Sequence, residues 1–233
     1  MSQITLHTLV ADIVTAIPET ADLFRKLRID FCCGGKIPLE EAARNLNLDG
    51  EQVLSKILYI EQKHKDYAEH QPAAELDEKE LINHIQQKHH AYLREELPQL
   101  TPYITKVARV HGENHPHLLR VQEIYGLLKR ELLEHTEDED QIVFPLIMHF
   151  ADHPTAEAAE ALKPHVMELE GEHEHAGDLL KELRKITCDF EPPAGACGTY
   201  RLVYQRLAQL EKDTFEHIHL ENNVLFEKVR AAM

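Results

Sequence analysis

Tryptophan is absent from this chain, cysteine occurs four times and glycine nine times in 233 residues. So few cysteines, two of them adjacent at Cys32 and Cys33, exclude a disulfide-stapled secreted scaffold, and a reducing, cytoplasmic setting is expected. No basic segment leads into an apolar one at the start, so no secretory signal is expected. No stretch approaches the ~20 apolar residues that span a bilayer. Basic residues are also scarce: 25 Lys and Arg face 41 Asp and Glu, a formal net charge of −16. That balance argues against nucleic acid or an anionic membrane surface as a partner, since either requires a basic face.

What remains is a vocabulary of helices, rich in Leu, Glu, Ala, Lys and Gln, together with seventeen histidines that form no long run. The expected fold class is all-α. Residues 1–65 read as short helices: Pro18 opens one carrying Ala21, Leu23, Phe24 and Leu27, and Gly34-Gly35 forces a turn. Leu39 to Leu46 follows as a second, and Asp49 caps a third through Val53, Ile57 and Ile60. Residues 66–78 are polar, hold Pro72 and show no period, the pattern of a linker. Residues 79–233 carry a sustained helical pattern at 79–97, 99–112, 116–149, 155–187 and 198–231. Pro98, Pro116, Pro154 and the Pro192-Pro193-Ala-Gly195 break divide these segments. Four of the five are long enough for an up-down four-helix bundle, with 99–112 as part of a crossover.

One pattern carries most of the chemistry. His135-Thr-Glu-Asp-Glu139 is followed by Ile142, Val143 and Phe144; His217-Ile-His-Leu-Glu221 is followed by Val224, Leu225 and Phe226. In each, Glu follows His by four residues, so on a helix the side chains stack on one face. At about 100° per residue, the first pair falls on the stripe of Ile124, Leu128, Leu132, Ile142 and Leu146. The second falls on the stripe of Val203, Leu207, Leu210, Val224 and Leu225. A single such pair usually forms a solvated hydrogen bond. Two pairs on apolar stripes put two carboxylates into a core, where they need a common partner. Two such helices facing each other supply most of a two-metal site.

Single histidines complete the pattern. His173 lies on the stripe of Leu162, Val166, Leu169, Ala176, Leu180 and Leu183 and is an expected metal ligand. Glu172, about 100° off that line, is placed to edge a channel, gating entry or relaying protons; the plainer alternative is a solvated glutamate. His175 falls on the polar side. In the first long helix the stripe of Ile82, Ile85, Leu93 and Leu97 runs nearer His89 than His90, and periodicity leans to His89 without deciding. His84 reads as a surface residue. His111 is either an extra ligand or a histidine favoured by the helix dipole, and His115 and His117 read as turn residues. Each half of the bundle then supplies one single histidine and one His–Glu pair, an internal duplication. Cys32-Cys33-Gly34-Gly35 presents two thiols on a glycine turn, suited to redox exchange or soft-metal transfer, or else two small side chains buried before a turn. Cys188 and Cys197 bracket the proline-rich break and read as incidental.

With these residues in hand, the chain resembles the Repair of Iron Centres family, the ScdA/YtfE type. Ala21-Asp-Leu-Phe-Arg-Lys leading to Asp30-Phe-Cys-Cys-Gly-Gly-Lys36 is similar to that family's N-terminal domain. Its hemerythrin-like domain is matched by His90 upstream of Arg94-Glu-Glu-Leu-Pro98, by Lys106 to His111, by His135 to Pro145, by Glu172-His173-Glu-His-Ala-Gly177 and by His217 to Phe226. Departures are His89, where the family often has an aromatic residue, and Glu227, where a proline can follow the last Phe. The resemblance implies a hemerythrin-like up-down bundle preceded by a small helical CCGG domain. It implies two iron ions joined by an oxo or hydroxo bridge and held by His90, His135, Glu139, His173, His217 and Glu221, with both glutamates bridging; this favours His90 over His89. The implied role is repair of iron–sulfur clusters damaged by nitrosative or oxidative stress, by iron donation, by nitric oxide binding and reduction, or by both. Cys32, Cys33 and Glu172 are the expected catalytic residues. Expected partners are damaged iron–sulfur proteins, with nitric oxide or dioxygen as small ligands and a homodimer as an allowed assembly. The rival reading is a hemerythrin-like carrier or sensor of oxygen or nitric oxide without turnover. Paired thiols weigh against it, because a carrier has no use for them.

Overall fold

The structure, a computed structural model, describes residues 4–67 and 75–233, with side chains left out at 64–67. Among the described residues the regular elements are helices: α1 Val10–Ala16, α2 Thr20–Leu27, α3 Leu39–Asn45, α4 Gly50–Tyr67, α5 Glu78–Ile85, α6 Ala91–His111, α7 His117–Asp138, α8 Phe144–Asp152, α9 Ala156–Ile186, α10 Gly198–Leu220 and α11 Phe226–Ala232. Three π-helical turns, Gln86–His90, Glu139–Val143 and Glu221–Leu225, join α5 to α6, α7 to α8 and α10 to α11. The centre of the expected 66–78 linker, residues 68–74, lies outside the described residues; α4 runs on to Tyr67 and α5 begins at Glu78. No helix among the described residues is long and apolar enough to cross a membrane.

The chain forms two compact units, one of Met1–Ile82 with Phe215–Met233 and the other of Asn83–Thr214. The first buries Val10, Ile13, Val14, Phe24, Ile29, Phe31, Leu39, Val53 and Ile57 in one cluster that includes Ile218 from α10. Asp49 caps α4 as its position suggests: its Oδ1 accepts the N–H groups of Glu51 and Gln52 at 3.0 and 3.2 Å. The second unit buries the apolar stripes of α6, α7, α9 and the first part of α10, including Leu93, Leu97, Leu128, Leu180, Leu183 and Leu210. Polar ties bind these helices as well. Arg206 pairs with Glu96 at 2.7 Å, and Arg184 donates to the buried Glu211 at 2.6 Å.

Two boundaries differ from the expectation. Pro98 does not end a helix: α6 runs unbroken through Pro98 and Pro102. Both prolines face solvent, where water can satisfy the carbonyls that their missing N–H groups leave. Just before Pro98, the Leu97 carbonyl accepts the Tyr125 and Thr101 hydroxyls at 2.7 and 2.8 Å. The second difference is one of register. Each π turn closes with an N–H bonded five residues back, Ala91 to Gln86, Phe144 to Glu139 and Phe226 to Glu221. The extra residue shifts the buried stripe. Ile142, expected in the core, is 46 % exposed, while Val143, Phe144 and Ile147 are buried.

The Asp49 cap yields a simple check. Asp49→Ala should lower the unfolding free energy by about 1 kcal/mol, read as an earlier denaturant midpoint by circular dichroism, while Asp49→Asn should leave it almost unchanged. Equal midpoints for all three proteins would remove the cap from the account.

Candidate metal centre

Glu139 organises the polar interior of the second unit. It stands first in its π turn and is fully buried. Its Oε2 lies 3.3 Å from His90 Nε2 and 3.3 Å from His135 Nε2, and its Oε1 lies 4.0 Å from His173 Nε2. The Nε2 atoms of His135 and His173 approach to 2.9 Å. His90, His135 and His173 are themselves buried, and donor atoms of His135, Glu139 and His173 all lie within 4.8 Å of one another. Three imidazole nitrogens therefore converge on one carboxylate.

The outward nitrogens of two of these rings are held by acidic side chains. His90 Nδ1 lies 2.9 Å from Asp140 Oδ1, and Asp140 also takes Gln86 Nε2 at 2.8 Å and the Arg94 guanidinium. Burial disfavours the Asp140 carboxylate, but hydrogen bonds from His90, Arg94 and Gln86 outweigh that and hold its pKa well below the ordinary range. His135 Nδ1 lies 2.6 Å from Glu172 Oε2, and that hydrogen bond lowers the Glu172 pKa against a smaller effect of burial. Carboxylates on Nδ1 fix the two rings so that Nε2 of each faces Glu139. The His90 ring also stacks on Phe144, centroids 5.5 Å apart and planes 12° from parallel.

His90, not His89, faces Glu139. His89 is equally buried but bonds Asp213 Oδ1 through Nδ1 at 3.1 Å. A regular helix puts one of two neighbours inward; the π turn ending at His90 lets both be buried while pointing at different partners. Glu172, its side chain 49 % exposed, lines a surface cleft of about 480 Å³ with His135, His173, Gly171 and His175, so His135 and His173 are reachable from that side.

In the first unit, His217 Nε2 and Glu221 Oε1 share a 2.8 Å hydrogen bond, both side chains buried, and Glu221 again stands first in a π turn. The same unit holds the cysteines. They are not displayed on a flexible turn: Cys32 is buried and Cys33 half-buried. Asp30 Oδ1 accepts the N–H groups of Cys32, Cys33 and Gly34 at 3.2, 3.0 and 3.0 Å. A Cβ on Gly35 would meet the Phe31 carbonyl at 2.5 Å, which explains the second glycine. The loop is also bound to α10 and the turn after it. Asn223 Nδ2 donates to the Cys32 carbonyl at 2.8 Å, and His219 Nδ1 lies 3.2 Å from the Phe31 carbonyl. Burial pushes the His219 imidazole down to about 4, against the opposing hydrogen bond to Phe31, so His219 is neutral and donates.

Sequence reasoning missed Asp140, Asp30, His219 and Asn223, because partners of a ligand or a loop carry no period of their own. It also read His117 as a turn residue, whereas its Nε2 bonds the buried hydroxyls of Tyr200 and Tyr204 at 3.1 and 2.9 Å. His111 lies 3.3 Å from Cys197 Sγ, where it also packs against Tyr200.

Buried imidazole nitrogens with carboxylate oxygens suit iron, zinc or copper, whereas magnesium and calcium seek all-oxygen shells. The donor set fits a borderline divalent cation. Residues 81–229 match the hemerythrin HHE cation-binding domain, and residues 6–61 match ScdA_N, a domain of unknown function (DUF542). The chain belongs to the ScdA/YtfE family. It is 41 % identical to the iron-sulfur cluster repair protein ScdA of Staphylococcus haemolyticus, over 97 % of this chain and 99 % of that one. It is 35 % identical to the iron-sulfur cluster repair protein YtfE of Enterobacter sp. and 34 % to that of Escherichia coli O157:H7, each over 95 % of this chain and 96 % of the relative. This ScdA/YtfE chain thus pairs a cation-binding helical bundle with a thiol-bearing segment.

If Asp140 orients a metal-binding His90, Asp140→Asn should weaken iron(II) binding about 10–100-fold, measured by equilibrium dialysis of the full chain. Unchanged affinity would separate His90 from the metal.

Proposed function

We propose that this protein restores iron–sulfur clusters damaged by nitrosative or oxidative stress, in the cytoplasm, using two iron ions held by His90, His135, Glu139, His173, His217 and Glu221. Damaged iron–sulfur proteins are its targets. The observation that carries the reading is the repeated unit in which a buried glutamate follows its histidine by four residues and opens a π turn, at Glu139 and again at Glu221. Glu139 and Glu221 are the bridging carboxylates in this reading, and the four histidines cap the irons. Two irons held by these residues would supply open coordination positions and redox chemistry for nitric oxide or dioxygen, and iron for donation.

The protein's own groups have separable tasks. Asp140 and Glu172 hold the His90 and His135 rings with Nε2 inward. Glu172, on the wall of the cleft that reaches His135 and His173, carries protons to and from an incoming ligand. Cys32 and Cys33, in the segment 1–65, pass electrons or take up iron, while the segment 79–233 holds the irons. A carrier or sensor without turnover would use the same ligands, but it leaves the paired thiols without a task.

Metal analysis, optical and electron paramagnetic resonance spectra, and stopped-flow mixing with nitric oxide test this together. Wild type should hold about two irons per chain, spin-coupled. Glu139→Gln and Glu221→Gln should lose the coupling and most of the iron; full iron with an unchanged spectrum in either would refute the bridging assignment. Glu172→Leu should retain most of its iron with a shifted pH profile for nitric oxide consumption, and wild-type kinetics across pH would leave Glu172 an orienting residue at most. A second comparison concerns the thiols. The Cys32→Ser/Cys33→Ser double variant should keep the iron spectrum and lose cluster repair in a reconstituted assay, and undiminished repair would make the pair structural.

A further inference from the structure

The cysteine loop has the dimensions of a cation site of its own. One donor atom from each of Asp30, Cys32 and Cys33 lies within 4.8 Å of the others. Cys32 Sγ and Cys33 Sγ are 3.7 Å apart, and Cys32 Sγ is 3.5 Å from Asp30 Oδ1. For a tetrahedral ion with metal–sulfur bonds of about 2.3 Å and metal–oxygen bonds of about 2.0 Å, the edges would be roughly 3.8 Å between sulfurs and roughly 3.5 Å between sulfur and oxygen. The sulfur–sulfur spacing is already present; Asp30 Oδ1 carries the loop N–H groups, so the other oxygen of that carboxylate is the one assigned to the ion.

The loop is held in this shape by groups that take no part in the donor triangle. The Gly35 and Ile37 carbonyls accept the Ala11 and Val10 N–H groups at 2.9 and 3.0 Å, tying the loop to the start of α1. Asn223 holds the Cys32 carbonyl, and Lys36 pairs with Glu227. Three backbone N–H groups directed at Asp30 hold that carboxylate beside the thiols.

We propose that Asp30, Cys32 and Cys33 form a cation site separate from the histidine–glutamate ligands, taking one borderline divalent ion such as iron(II) or zinc(II) through two thiolates and one carboxylate. This deepens the role given above to the paired thiols, but does not depend on the iron reading of the bundle. Binding expels two thiol protons to solvent for each divalent ion, so the loop's net charge is unchanged and no electron moves. Without an ion, the hydrogen bond with Cys33, burial and the nearby Asp30 charge all raise the Cys32 pKa well above the ordinary thiol range. The resting Cys32 is thus a protonated thiol and a poor redox nucleophile, and a cation is the partner that converts it to a thiolate. Three protein donors leave a fourth position for water or a client thiolate, on the side where Cys33 is half-buried. An ion held this way can leave by ligand exchange.

The test uses the iron-loaded full chain, reduced, in a Cys188→Ser/Cys197→Ser background so that only these two thiols remain, with cadmium(II) as probe. One equivalent should bind, with a thiolate-to-metal charge-transfer band in the ultraviolet, two protons released, and iron content and visible spectrum unchanged. Cys33→Ser should abolish the band. Asp30→Asn, which keeps an oxygen to accept the loop N–H groups, should weaken binding at least tenfold. No band in the parent protein, or wild-type affinity in Asp30→Asn, overturns the site. The two readings fail separately: a band in protein that never loads iron would sink the di-iron proposal alone, and normal iron without a band would sink this one alone.

Discussion

A carboxylate without access to water is the constraint on which this protein turns. Glu139 is fully buried, and the groups that face it in its unit are the imidazoles of His90, His135 and His173. Taking such a charge out of water is costly, and removing one partner from a buried ionic group typically costs about 3–5 kcal/mol. A divalent cation bound there would remove the conflict, since the carboxylate and the ring nitrogens could all ligate it. The acidic partners on the far side of His90 and His135 follow from the same requirement, since each makes its ring a better donor. Net negative charge over the whole chain favours the same outcome.

The π turns are the geometric answer to that constraint. A regular helix rotates about 100° per residue, so a buried glutamate is followed by an alternation of inward and outward positions. Glu139 and Glu221 are followed instead by two polar residues and then three apolar ones, Ile142-Val143-Phe144 and Val224-Leu225-Phe226. Widening the turn by one residue spreads the glutamate and the apolar anchors over more of the helix circumference. At Gln86–His90 the same device buries two adjacent histidines with different partners.

Much of this was readable beforehand, for identifiable reasons. The all-α class, the Asp49 cap and the inward placement of His135, Glu139, His173, His217 and Glu221 all follow from periodicity and local chemistry, which are properties of single segments. The unbroken α6 was not readable, because whether a proline stops a helix depends on what its exposed side meets. Nor was the position of Ile142, since periodicity takes one rotation per residue throughout a helix and the π turn breaks it. The triple apolar run after each glutamate was the available sign that the rotation changes. The His89/His90 choice was settled by resemblance where periodicity leaned the other way. The partners of the cysteine loop were invisible for a different reason: Phe31 and His219 are 188 residues apart in the chain, and no local pattern encodes such a pairing.

The stretch from His217 to Glu227 carries two sets of groups on different sides. His217 and Glu221 share a buried hydrogen bond, while His219, Asn223 and Glu227 hold the segment that bears Cys32, Cys33 and Lys36. Phe215 and Ile218 add apolar weight to the second set by joining the core built from α1 to α4. The boundary that composition marks near residue 65 is therefore no place to cut the molecule. A fragment beginning after it would keep Phe215 and Ile218 without their cover, return His219 to water, and carry an uncovered apolar strip prone to self-association. The amino-terminal segment, though short, is not severable from the helix that ends the chain.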